Sequence, residues 1–188
     1  MPDSPLHDIS GEREDQLLVT CNRLGKINGT ASRKLCHQNK GITHLAFMSF
    51  LLDKKGKVVL TRRSMTKSLW GGYWDGSIVS HVLPGESVEG AARRRGKEEL
   101  GVDTDFSVAG SFYYQENYNA SAENEYCYVL TGKTSEAIIA NRQEISKTLY
   151  LDRHGLDKFL KEKQSQLTPW FIKAGEYLNL NNVLWPAS

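Results

Sequence analysis

The sequence predicts an α/β fold in the broad sense (α+β), a mixed sheet flanked by helices. Three observations lead there: apolar or aromatic stretches bounded by turn residues recur along the chain, one helix is delimited at both ends, and two further helical stretches follow the last aromatic strands. At 188 residues the chain is long enough for one domain with a sizeable core and short for two.

Residues 1–15 are polar, with two prolines and several acids, and read as a flexible N-terminal arm before a single domain over 16–188. Leu17 to Thr20 reads as a strand, Asn22-Arg23-Leu24-Gly25 as a turn, and Lys26 to Thr30 as the antiparallel return. The segment from Arg33 to Lys40 is polar and holds a histidine. His44 to Leu52 is apolar on both faces, as a central strand should be. Asp53-Lys54-Lys55-Gly56 then turns the chain into Lys57 to Arg62, which predicts a hairpin in the sheet core.

A basic, glycine-bearing loop runs from Arg63 to Trp74, and Trp74 to Val79 reads as a short strand ending at His81. Ser87 can cap a helix running to Leu100, with Glu89 near its positive end and Gly101 placed to stop it. Gly90 and Gly96 inside it each cost about 1 kcal/mol relative to Ala, which points to close backbone contact on the sheet side. Strands rich in Tyr and Phe follow at Ser107 to Tyr118 and Asn124 to Thr131, then helices at Leu156 to Lys163 and Trp170 to Leu178.

A net charge of +2 with 39% apolar residues excludes nucleic-acid binding by bulk charge and describes a soluble globular chain. The longest apolar run, Leu45 to Leu52, is broken by Ser49 and is far short of the roughly 18 residues of a membrane span. The acidic first sixteen residues lack the charged start and apolar centre of a secretory signal, so a cytoplasmic location is expected. Cys21, Cys36 and Cys127 are odd in number and widely spaced, which fits reduced thiols.

Chemistry is concentrated in Gly85-Glu86 and Arg94-Arg95-Gly96-Lys97-Glu98-Glu99-Leu100-Gly101-Val102. Arg95, Glu98 and Glu99 stand at i, i+3 and i+4, on one face of the helix. Such a face is a solvated ion-pair surface or, with Glu86 and the basic loop of Arg63 and Lys67 beside it, a place where carboxylates take Mg²⁺ or Mn²⁺. The stretch resembles the signature of the Nudix superfamily, a loop-helix-loop in a mixed sheet between helices. Glu86, Arg94, Glu98, Glu99 and Gly101 match that signature. Ser80 stands where it opens with glycine, and Arg95 where hydrolases carry a metal-binding glutamate.

From Arg33 to Trp170 the chain is more specifically similar to the type I isopentenyl-diphosphate isomerases, a branch of that superfamily. The resemblance implies a metal site of His37, His44, His81, Glu123 and Glu125, of a kind suited to Mn²⁺, Zn²⁺ or Mg²⁺. It implies diphosphate binding by Arg33, Arg63, Lys67 and Arg95, and a Mg²⁺ at Glu99 bridging to the diphosphate. Glu125 would be the acid/base residue, assisted by Tyr113 or Tyr114, and Trp170 would face a tertiary carbocation near the substrate tail.

Val79 occupies the position where the isomerases carry a cysteine that exchanges protons with the substrate, and it would line the tail pocket. Gly76 and Val82 replace the branch's usual Asn and Pro. Three functions follow as alternatives: an isomerase-like enzyme, a hydrolase of an organic or nucleoside diphosphate, and a non-catalytic diphosphate binder. The expected partner is a small-molecule diphosphate, with no nucleic acid or membrane, on a monomer or homodimer.

Overall fold

The computed structural model describes residues 13–186; positions 1–12 of the expected N-terminal arm lie outside the described residues. Strand β3 (His44–Leu52) is the spine of the sheet. All nine of its residues are buried, because both of its faces are covered. Its pleat divides the interior in two: Ala46, Met48, Phe50 and Leu52 point into one core, Leu45, Phe47 and Leu51 into the other.

β1 (Leu17–Cys21) and β2 (Ile27–Ser32) form the expected antiparallel hairpin, and Ser32 caps the short helix α1 (Arg33–His37). β7 (Phe106–Tyr118) and β8 (Ser121–Lys133) form a long hairpin, and β8 runs parallel to β3 with His44 opposite Glu125. α2 (Val88–Leu100) covers the second core through Ala91, Ala92 and Leu100. The first core lies under α3 (Arg153–Glu162), α4 (Pro169–Tyr177) and α5 (Leu180–Leu184). The sheet is thus mixed and sandwiched between helices.

α2 is built as its sequence dictates. The Ser87 Oγ accepts the Gly90 N–H at 3.0 Å, and Gly101 ends the helix with φ 68°, where a side chain would be strained. At Gly96 an added Cβ would lie 3.2 Å from the Val102 carbonyl and 3.5 Å from Ile78, so the close sheet contact is real there. At Gly90 it would meet only the helix's own cap, Ser87, and the expected sheet contact is absent.

The expected core hairpin between β3 and β4 (Val58–Arg63) is short, with only Leu51–Val59 and Leu52–Val58 in register. The cause is the next segment, which forms two strands instead of one. β5 (Trp74–Asp75) pairs with β4, β6 (Ile78–His81) pairs with β3, and Ser77 wedges between them. Its Oγ accepts the Leu51 N–H at 2.6 Å and donates to the Val59 carbonyl at 2.5 Å, bridging the backbone groups that the splayed strands leave unpaired. β9 (Ile145–Leu151) covers the free edge of β4. Neither β9, α1 nor α5 has a sequence pattern that announces it.

The three cysteines are free and buried. Among the described residues no helix is long and apolar enough to cross a membrane.

Candidate metal and diphosphate site

Strand alternation assembles a buried group at one end of the first core. His44 lies beside Glu125 on the neighbouring strand, Glu125 faces Tyr114 across the β7–β8 hairpin, and Glu123 follows two residues earlier on the same face. β6 adds His81, and α1, packed against β8, adds His37. One ligand atom from each of His37, His44, His81, Glu123 and Glu125 lies within 4.8 Å of every other. The positions span 89 residues of the chain, yet they converge.

The hydrogen bonds fix what these rings present. His37 Nδ1 donates to the Arg33 carbonyl at 2.7 Å and His44 Nδ1 to the Ile42 carbonyl at 2.8 Å, which leaves both Nε2 lone pairs turned inward. Neither Nε2 has a hydrogen-bond partner, nor has Glu123 Oε2. His37 Nε2 and Glu123 Oε2 stand 3.1 Å apart, so two electron-rich atoms face each other unless a proton or a cation lies between them. Burial pushes His37 down, but the Glu123 carboxylate outweighs it and the net shift is upward. These buried, unsatisfied donors and carboxylates fit a divalent metal ion such as Mn²⁺ or Zn²⁺.

His81 differs. Arg33 Nη1 lies 3.0 Å from its Nδ1, so Nδ1 accepts and Nε2 carries the hydrogen, directed at Glu125 Oε1 at 3.0 Å. Burial, reinforced by Arg33 and the two other imidazoles, holds His81 well below the usual histidine range. Ligation through its Nε2 requires Arg33 to release Nδ1. Glu125 also accepts the Tyr114 hydroxyl at Oε2. Burial raises Glu125, but His44 and the Tyr114 hydrogen bond bring it below its ordinary value. The Tyr114 phenol is pushed well up by burial and the Glu125 charge. Tyr113 points elsewhere, beneath the Arg23 guanidinium.

Arg33, Arg63, Lys67 and Arg95 line one cleft with Val79, Tyr114, Glu123, Glu125 and Trp170. All four expected diphosphate cations, both acids and the tail residues therefore meet. Ser80 lines the cleft as well.

The Nudix-signature acids are placed differently. Glu86 is held by Arg94 at 2.6 and 3.0 Å, and half-exposed Glu98 by Arg94 and Arg95; neither lines the cleft. Glu99 is buried, bonded to Arg95 at 2.7 Å, and lines an adjoining cavity with Arg63, Lys67, Asp75, Val79 and Glu144. Burial raises its carboxyl, against the pull of Arg95 and Lys67.

Two acids of this region escaped the sequence analysis. Glu144, just before β9, pairs with Lys67 and lies 3.3 Å from Arg95. Asp75, on β5, accepts from Trp170 and lies 3.6 Å from Arg63.

Residues 42–171 match the NUDIX domain family, and the chain belongs to the Nudix family. Within it the chain is 32% identical over 155 residues to "Isopentenyl-diphosphate Delta-isomerase 1" of Photorhabdus laumondii, covering 81% of this chain and 86% of the relative. It is 31% identical over 158 residues to an Escherichia coli isopentenyl-diphosphate Delta-isomerase, covering 82% and 87%. A Deinococcus radiodurans protein of known crystal structure superposes with a TM-score of 0.65 at 21% identity, over 90% of this chain and 99% of that one.

Proposed function

We propose that this chain is a metal-dependent enzyme of the isopentenyl-diphosphate isomerase type, acting on a small organic diphosphate. The observation that carries the reading is the convergence of three imidazoles and two carboxylates beside a cleft lined by four cations. His37, His44, His81, Glu123 and Glu125 would hold the metal ion, which would orient Glu125 and stabilise its anionic form. Arg33, Arg63, Lys67 and Arg95 would bind the diphosphate by charge-assisted hydrogen bonds, and Glu99, in the adjoining cavity, would offer a carboxylate to Mg²⁺ once Arg95 turns to the diphosphate.

Moving a double bond along a branched alkene requires a proton added at one carbon and a proton removed from another. Glu125 lines the cleft with Val79 and Trp170, and Tyr114, held protonated, supplies hydrogen to its Oε2. Trp170 offers its face to the positive charge that develops between the two transfers. Val79 can exchange no proton, so both transfers would fall to the Tyr114–Glu125 pair: the Tyr114 proton, relayed through Glu125 Oε2, would add to the alkene, and the proton removed from the other carbon would return to the pair.

Val79 favours a second reading, in which the cleft binds a diphosphate without isomerising it. Hydrolysis is less well supported, since Arg95 replaces a carboxylate and Glu86 and Glu98 are neutralised by arginines. Incubating the protein with Mg²⁺, Mn²⁺ and a panel of diphosphates separates these readings. Allylic isomer without phosphate release is expected; phosphate release, or binding alone, would overturn the isomerase reading.

A further inference from the structure

We propose that Asp75 is a positioning residue that polarises the indole of Trp170, making this part of the cleft selective for diphosphates whose tail carries or develops positive charge. The inference rests on the diphosphate reading above and adds to it a determinant that the resemblance does not supply.

Asp75 and Trp170 are buried, at 1% and 2% exposure. Trp170 Nε1 lies 2.9 Å from both carboxylate oxygens of Asp75. Oδ1 accepts in addition the Gly76 N–H at 2.9 Å and the Thr168 hydroxyl at 3.1 Å. Thr168 stands at the N-cap of α4, where its hydroxyl would ordinarily serve the helix; it makes no cap bond and donates to Asp75 instead. The carboxylate therefore draws three donors from a helix start and a strand end, and two of them come from the element that carries Trp170.

The face of the same indole already receives a cation. The Arg63 guanidinium carbon lies 5.5 Å from the Trp170 ring centre, and Arg63 Nη1 lies 3.6 Å from Asp75 Oδ2. An anion bonded to the ring N–H pushes electron density into the π system and makes its face more negative, an effect strengthened where water is excluded. A diphosphate in the cleft competes with Asp75 for Arg63. As it draws the guanidinium away, the polarised face becomes available to charge in the ligand's tail.

A purely mechanical role, tying α4 to β5, would support every ligand alike. The experiment therefore uses two diphosphates of equal size, one with a tertiary ammonium in its tail and one its neutral carbon isostere, titrated calorimetrically with Mg²⁺ and Mn²⁺ present. Asp75→Asn, close in shape but uncharged, should weaken the ammonium ligand about tenfold and the neutral one less than about twofold. Trp170→Phe, which keeps an aromatic face without the N–H, should lower the same ratio. Adding Asp75→Asn to Trp170→Phe should then change the ratio no further.

Equal weakening of both ligands by Asp75→Asn, or a full ratio change surviving in the Trp170→Phe background, would overturn the role of Asp75 alone. Failure of the wild-type chain to bind either diphosphate would overturn the diphosphate reading and the proposal with it.

Discussion

Two acid-bearing regions of this molecule look alike in sequence and differ in chemistry. The Nudix helix α2 and its leading loop carry Glu86, Glu98 and Glu99, but each is matched by an arginine on the same segment: Glu86 by Arg94, Glu98 by Arg94 and Arg95, Glu99 by Arg95. In the histidine cluster the balance is reversed, and His37 Nε2, His44 Nε2 and Glu123 Oε2 are buried without a hydrogen-bond partner. Counting carboxylates does not locate a metal centre. What matters is which buried lone pairs are left unsatisfied.

Substitutions can break this contrast. Glu125→Gln should lower isomerisation by about 10²–10⁴-fold, the usual worth of a general acid/base group, measured as allylic isomer formed. Glu98→Gln, on a half-exposed acid outside the cleft, should leave the same rate within about tenfold. Val79→Cys should raise the rate by introducing a thiol with an ordinary pKa near about 8.5, and Glu125→Gln in that background should remove the gain. No gain, with diphosphate binding retained, would favour the binding-only reading.

Arg95 is the next largest effect. It is buried at 3% exposure and balances Glu99 and Glu144, which are buried too. Arg95→Ala leaves Glu99 without its partner and removes one of the two cations beside Glu144, and should cost about 3–5 kcal/mol in a denaturant titration. Arg63→Ala and Lys67→Ala should each weaken diphosphate binding by about 1.5–3 kcal/mol per charge-assisted hydrogen bond lost; unchanged affinity in both would put the diphosphate elsewhere.

The pH dependence sharpens the account at Asp75. Burial raises its carboxyl to about 6 from an ordinary 3.8, against the opposing pull of Arg63 and the Trp170 and Thr168 hydrogen bonds. Lys67, Glu99 and Glu144 line the same cavity, and the buried Cys127 thiol feels the Asp75 charge. The folded chain thus holds this proton more tightly than the unfolded chain does. The group's contribution is fully present below about pH 4 and is lost as pH rises through about 6. From pH 4 to 7 the stability of Asp75→Asn relative to wild type should therefore improve, by at most about 3 kcal/mol; a difference independent of pH would contradict it.

The histidine cluster was legible in the sequence because a family pattern fixes the spacing of His37 and His44 and the order of His81, Glu123 and Glu125. Choosing between Tyr113 and Tyr114 needed the β7–β8 register, which pairs Tyr114 with Glu125 and turns Tyr113 to the other face. Asp75 and Glu144 were invisible for a different reason. Asp75 reads as one polar residue of a short strand and Glu144 as a lone acid between elements, and their meaning comes only from Trp170, Arg63, Lys67 and Arg95, which the fold brings beside them. Helix α1 was missed because five residues with no apolar period cannot announce a helix, and its packing against β8 holds it. The splaying of β3 from β4 depends on Ser77, whose hydroxyl reads as an ordinary turn residue until both strands are in place.

The most direct test of the central claim is anomalous diffraction at the manganese edge from crystals grown with Mn²⁺. The account predicts a peak enclosed by His37, His44, His81, Glu123 and Glu125, within bonding distance of all five, and with Arg33 turned away from His81 Nδ1. Manganese found only against Glu86, Glu98 or Glu99, with the histidine cluster empty in the same crystal, would contradict it.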